Sequence, residues 1–142
     1  LGLKVRFFTL VVLRPTPPRC WALPRRLRTF PEVVFDPAAG TLLLKGRSIP
    51  ENSIEFYKPL NDWIDGYAAN PGSQTVIEMK LEYFNTSSSK CILDVFKKLE
   101  LVSGSEITVK WHYEEDDEDM LEAGEDYQAI IKVPFKMIEV QE

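Results

Sequence analysis

The chain has 142 residues, of which 44% are hydrophobic and 27% charged, enough for one domain with an apolar core. Its formal charge of −5 is unevenly spread: residues 1–30 hold seven of the 17 basic residues and no acid, leaving 10 basic against 22 acidic residues, or −12, for residues 31–142. Such an acidic body is a poor general binder of nucleic acid or anionic membrane, two cysteines cannot build a disulfide framework, and a single histidine offers no repeated Cys/His spacing for structural zinc.

Residues 1–30 do not read like the rest. Lys4 and Arg6 precede an apolar run from Phe7 to Leu13 that contains Thr9 and is followed by prolines and more arginine. The run is too short to span a bilayer, and the absence of serine argues against a transit peptide. We expect a basic, Pro/Arg-rich extension that is flexible or non-native, with a basic interaction arm as the alternative. A second unit, residues 31–142, is expected to be the folded domain.

From Glu32 the pattern is regular. Val33 and Phe35 begin a strand, the five residues Asp36 to Gly40 supply a turn, and Leu42 and Leu44 continue in a second strand ending at Gly46, which predicts a hairpin. Pro50-Glu51-Asn52-Ser53 offers helix-start chemistry before Phe56, Leu60, Trp63, Ile64 and Tyr67, which share a helical face that ends near Asn70-Pro71-Gly72. Val76 to Tyr83 alternates Ile77, Met79, Leu81 and Tyr83 with charged residues and predicts a strand with one apolar face. Ile92, Val95, Phe96 and Leu99 then mark an amphipathic helix, in which Cys91 is expected to pack as a small apolar residue. A strand follows at Ile107 to Tyr113, with a short helix from about Asp119 to Ile131 and a last strand from Phe135 to Val140. Because the central strands carry charge on one face, the expected fold is a small open α/β domain with helices packed mainly on one side.

Asn85-Thr86-Ser87-Ser88-Ser89-Lys90 joins the apolar strand to the amphipathic helix. Asn, Thr and Ser are favoured at helix starts, where they accept hydrogen bonds from free amides, so a capped helix is one reading. A regulatory phosphoacceptor is the other: a phosphoryl group adds about 1.5 to 2 negative charges beside the helix's positive end. The residues alone leave open which of Thr86, Ser87, Ser88 and Ser89 would be modified.

Other constellations point away from catalysis. The acidic run Glu114 to Asp119 lacks the ligand spacing and glycine of an EF-hand loop, and reads as a solvated loop or as carboxylates at a helix start. A metal-dependent hydrolase using that run is the competing enzyme reading. His112 alternates with Trp111 and Tyr113 and is expected to be a surface imidazole on a strand's polar face; Trp63 and Trp111 are expected in the core. No clustered glycine motif for a nucleotide is present, and no catalytic residue, metal ligand or cofactor is assigned. The cysteine usage suggests a reducing compartment.

Three separated stretches carry a family resemblance: Pro50-Glu51-Asn52-Ser53 with Glu55-Phe56-Tyr57; Leu81-Glu82-Tyr83-Phe84 running into Asn85 to Lys90; and Trp111-His112-Tyr113 leading through the acidic segment to Gly124-Glu125-Asp126-Tyr127. Together they resemble the SiaC family of bacterial regulatory phosphoproteins over about residues 31 to 142. The resemblance implies a STAS-like fold, similar to that of anti-sigma-factor antagonists, and a cytoplasmic, non-enzymatic partner switch. It implies that Thr86 is phosphorylated by a dedicated kinase and dephosphorylated by a PP2C-like phosphatase. Unmodified, the protein would bind and activate a diguanylate cyclase in cyclic-di-GMP and biofilm signalling, with Asn85, Ser87, Ser88 and Ser89 in the partner surface. Ile49 departs from the family pattern, where an aromatic residue is expected before Pro50. A constitutive adaptor whose hydroxyl run only caps a helix is the remaining alternative.

Overall fold

The computed structural model describes residues 30–36 and 38–141. Expectations for residues 1–29, Cys20 among them, lie outside the described residues. Five strands and three helices follow in the order β1 (Glu32–Asp36), β2 (Thr41–Ser48), α1 (Ser53–Ala68), β3 (Gln74–Phe84), α2 (Thr86–Glu100), β4 (Glu106–Glu114), α3 (Glu118–Ile130) and β5 (Phe135–Val140). All expected elements are present, most ending within one or two residues of the positions read from periodicity.

The strands form one sheet in the order β1-β2-β3-β4-β5. β1 and β2 are antiparallel and every later pair is parallel. The antiparallel pair is possible because the turn is short: the Asp36 carboxylate accepts from the Ala38 and Ala39 amides, and Gly40, at φ 71°, takes the left-handed conformation that lets its amide reach the Asp36 carbonyl. Parallel strands cannot be joined so tightly, and each parallel step is made through a helix.

Alternation then fixes the layers. Phe35, Leu42, Leu44, Ile77, Met79, Val109 and Trp111 are buried on the face that meets the helices, while Lys45, Glu78, Lys80 and Lys110 lie on the other. From the helix side come Tyr57, Leu60, Trp63, Ile64 and Tyr67 of α1, Ile92, Val95, Phe96 and Leu99 of α2, and Met120 and Tyr127 of α3. Aromatic rings weld the layers: Phe35 meets Trp63 and Tyr67, Phe96 meets Phe135 and Tyr127, and Trp111 meets Tyr127. Trp63 and Trp111 are in the core as expected, and so is Cys91, whose thiol is pushed above its ordinary range by burial.

One expectation is corrected. Alternation assigns Tyr83 to the apolar face with Ile77, Met79 and Leu81, but it is half exposed. The β2–β3 register slips by one residue between Gly46, opposite Leu81, and Arg47, opposite Tyr83. This bulge leaves Glu82 without an opposite number, so the next residues change sides: Tyr83 turns out under the Arg47 guanidinium, and Phe84 turns in toward Trp111 and Tyr127.

Where α3 crosses β4 the packing leaves no room for a side chain. A Cβ on Gly124 would lie 2.5 Å from Trp111 Cδ1, and the indole cannot swing away freely because its Nε1 donates to the Met120 carbonyl at 2.9 Å. Gly124→Ala is therefore expected to destabilise the fold by about 1–3 kcal/mol, read as a lower urea midpoint at unchanged slope.

Candidate functional site

The C-terminal ends of β2 and β3 deliver the first turns of α1 and α2 side by side. Each helix has an asparagine cap in extended conformation: Asn52 Oδ1 accepts from the Glu55 amide at 3.1 Å, and Asn85 Oδ1 accepts from the Ser88 amide at 2.9 Å. The Asn85 amide in turn donates to the Ser48 carbonyl at the end of β2, which fixes the start of α2 against the sheet. The capped-helix reading thus holds for the segment, but the cap is Asn85 and the hydroxyls are left for other uses. Asn85→Ala is expected to cost about 1 kcal/mol, measurable by thermal unfolding.

The four hydroxyls of the run occupy four different environments. Ser88 is fully buried; its hydroxyl accepts from Ser48 Oγ at 2.9 Å and donates to the Ser48 carbonyl at 2.9 Å. Ser89 is half-buried against α3, its hydroxyl 3.1 Å from the Tyr127 hydroxyl, which donates to the Ser89 carbonyl at 2.8 Å. Ser87 is exposed but held, sharing a 2.8 Å hydrogen bond with Ser53 Oγ of α1 and donating to Asn85 Oδ1 at 3.2 Å. Thr86, the first residue of α2, is exposed, and its side chain makes no hydrogen bond among the described residues. It faces solvent at the positive end of a 15-residue helix with no acid in its first turn.

Sequence reasoning missed the inner half of this site. Ser48 at the end of β2, Ser53 at the start of α1 and Tyr57 one turn later are all buried, and Ser48 Oγ lies 2.6 Å from Tyr57 Oη. Burial pushes the Tyr57 phenol far above its ordinary value, with the Ser48 hydrogen bond opposing, so it stays a neutral hydroxyl. A serine that continues the inward alternation of Leu42, Leu44 and Gly46 at the end of β2 was the available signal.

The other candidates lie elsewhere. His112 is on the open sheet face as expected, yet it is not a free surface imidazole: its side chain is only 14% exposed and its Nε2 is 3.2 Å from Glu78 Oε1. Burial lowers its pKa, the Glu78 hydrogen bond opposing and Lys80 and Lys110 reinforcing. No hydrogen bond joins this imidazole to the serines, whose partners are Ser48, Ser53, Asn85 and Tyr127. The acidic run is divided: Glu114 ends β4, Asp117 caps α3 by accepting from the Met120 amide at 3.0 Å, and Glu118 and Asp119 occupy the first turn. Among the described residues no group of three or more His, Cys, Asp or Glu side chains is placed to hold a metal ion. Nor is any described helix long and apolar enough to cross a membrane.

Fold and site are those of a small one-sided α/β domain that presents a free hydroxyl at a helix start. The chain belongs to the SiaC family of regulatory phosphoproteins, whose family model matches residues 25–140. An uncharacterized protein of Pseudomonas aeruginosa strain UCBPP-PA14 is 32% identical over 107 residues, covering 74% of this chain and 85% of its own. The fold is similar to that in the crystal structure of the diguanylate cyclase SiaD in complex with its activator SiaC from Pseudomonas aeruginosa, with a TM-score of 0.74 and 30% identity over 79% of this chain and 93% of that one. It is similar also to apo-SiaC from the same organism, with a TM-score of 0.70 and 30% identity over 78% and 91% of the two chains.

Proposed function

We propose that this chain is a non-enzymatic partner switch that binds and activates a diguanylate cyclase when Thr86 is unmodified, and releases it when Thr86 is phosphorylated. The observation that carries the reading is the sorting of the hydroxyls: of Thr86, Ser87, Ser88 and Ser89, only Thr86 is both exposed and free of a side-chain hydrogen bond among the described residues. A kinase must reach an oxygen whose lone pairs and proton are uncommitted, and Thr86 meets that condition. The partner class is supported by the similarity to SiaC, which the solved complex describes as the activator of SiaD.

Charge is the signal. Thr86 and its neighbours Ser87 and Asn85 present a nearly neutral polar surface, to which phosphorylation adds about 1.5 to 2 negative charges and three acceptor oxygens. The positive ends of α1 and α2 tolerate that charge within the free protein, whereas burying it against a partner without compensation costs several kcal/mol. A kinase and a PP2C-like phosphatase would set the two states, in the cytoplasm and without a cofactor, with residues 31–142 as the acting unit.

Intact-mass measurement of protein from its native cell is expected to show one phosphoryl group, removed by a PP2C-like phosphatase and absent from the Thr86→Ala chain. A phosphate mapped to Ser87 or Ser89 would overturn the site. Absence of phosphate under all growth conditions would leave a constitutive adaptor in its place.

A further inference from the structure

α1 has a second ordered face besides the one that packs inward. Ser53, Tyr57, Leu60 and Ile64 are buried, while Asn52, Glu55, Phe56 and Pro59 follow the i, i+3, i+4, i+7 spacing of another helical face and line a surface groove of about 500 Å³. The floor of the groove is apolar: the Phe30 and Phe56 rings lie with centroids 5.1 Å apart, flanked by Pro50 and Pro59. Its rim is acidic. Glu51 is exposed and makes no hydrogen bond or ion pair among the described residues, and Glu55 Oε2 accepts from the Asn52 side-chain amide at 3.2 Å. Pro59 adds a third acceptor: it stands in the interior of α1 without an amide hydrogen, so the Glu55 carbonyl lacks the donor that an i→i−4 bond would bring. A proline there costs helix stability, and at an exposed position packing does not offset that cost. Among the described residues, no lysine, arginine or histidine lines the groove.

We propose that this groove is a second docking point for the partner that Thr86 controls, and that it receives a segment in which an arginine or lysine lies beside an apolar side chain. This rests on Thr86 being the switch of a partner. The chemistry of the lining selects that occupant: the floor takes the apolar side chain, the Glu51 carboxylate and the Glu55 carbonyl accept from the cation, and the same acceptors disfavour an acidic segment. Groove and switch share one surface, because Asn52 lines the groove, the adjoining Ser53 shares a 2.8 Å hydrogen bond with Ser87, and Ser87 adjoins Thr86. Ile54, in the same turn of α1, is 77% exposed and adds apolar area to that surface. A cation seated in the groove lies on a different face of α1 from Ser53, committed to Glu51 and Glu55, and so leaves a phosphate on Thr86 uncompensated.

The test titrates the full chain with the proposed cyclase partner in a calorimeter. Glu51→Lys, at an exposed position, is expected to weaken binding by about tenfold or more, whereas Glu106→Lys, the same change of charge at the exposed start of β4, is expected to stay within about twofold of wild type. Pro59→Ala returns an amide hydrogen to the Glu55 carbonyl. It is expected to raise the urea midpoint while weakening binding by about threefold, a pair of effects that a purely structural proline would not give. Wild-type affinity in Glu51→Lys, or an equal loss in Glu51→Lys and Glu106→Lys, would overturn the proposal. Tighter binding by Glu51→Lys would put this chain's own basic residues, ahead of Phe30, in the groove and would overturn the partner as its occupant. Thr86→Glu in the same titration separates the two levels: binding lost in Thr86→Glu and kept in Glu51→Lys leaves the switch and removes the groove, whereas binding lost in Glu51→Lys and kept in Thr86→Glu leaves the groove and removes the switch.

Discussion

Thr86→Glu is expected to weaken binding to the proposed cyclase partner by at least ~100-fold, with Thr86→Ala binding as the unmodified wild type does. The reasoning is energetic. A carboxylate buried in an interface without a compensating cation costs on the order of 3 kcal/mol or more, and about 1.4 kcal/mol corresponds to a tenfold change in affinity. The domain amplifies the effect, because 22 acidic residues stand against 10 basic ones beyond residue 30 and few nearby cations can neutralise an added charge. Glutamate carries one charge where phosphate carries about 1.5 to 2, so true phosphothreonine should weaken binding further. Calorimetric titration of the partner with both variants measures the difference. Equal affinities for Thr86→Glu and Thr86→Ala would exclude charge at this position as the signal.

Two residues along the same helix, the same chemistry is expected to destroy the fold. Ser88 is 0% exposed, with its hydroxyl engaged by Ser48 on both its donor and acceptor sides. Ser88→Asp places a carboxylate where the Ser48 carbonyl already needs a donor, and the uncompensated buried charge costs several kcal/mol against a typical total stability of about 5–15 kcal/mol. The variant should be largely unfolded or lose most of its urea midpoint, while Ser87→Asp at the exposed neighbour stays folded. A Ser88→Asp protein within about 1 kcal/mol of wild type would mean that the hydroxyl site opens readily to water, and the contrast between Thr86 and Ser88 would lose its basis.

Much of this architecture is legible in the order of the amino acids. Ile92, Val95, Phe96 and Leu99 repeat at helical spacing and do pack inward, and the charged alternate positions of β3 and β4 do lie on an uncovered sheet face. Periodicity states which face a residue occupies; it does not state what it meets. Ser53 and Ser87 are 34 positions apart and Ser48 and Ser88 are 40 apart, so their contacts are products of β2 and β3 lying side by side. Tyr83 escapes for a related reason: its direction depends on a slip in pairing with β2, which its own alternating pattern does not encode. The sorting of the hydroxyls is likewise out of reach, because four adjacent residues at a helix start differ only through what α1, β2 and α3 place against them.

The bulge opposite Gly46 and Arg47 also governs how the chain can change in length. By absorbing one residue, Glu82, it sets the phase with which β3 hands over to α2. Removing that residue would restore plain alternation with Arg47 still opposite Tyr83 and Ser48 opposite Phe84, so Tyr83 would stay on the outer face. The bulge is thus the place in β3 where a one-residue change in length is expected to leave the directions of Phe84 and of the α2 residues that follow it unchanged.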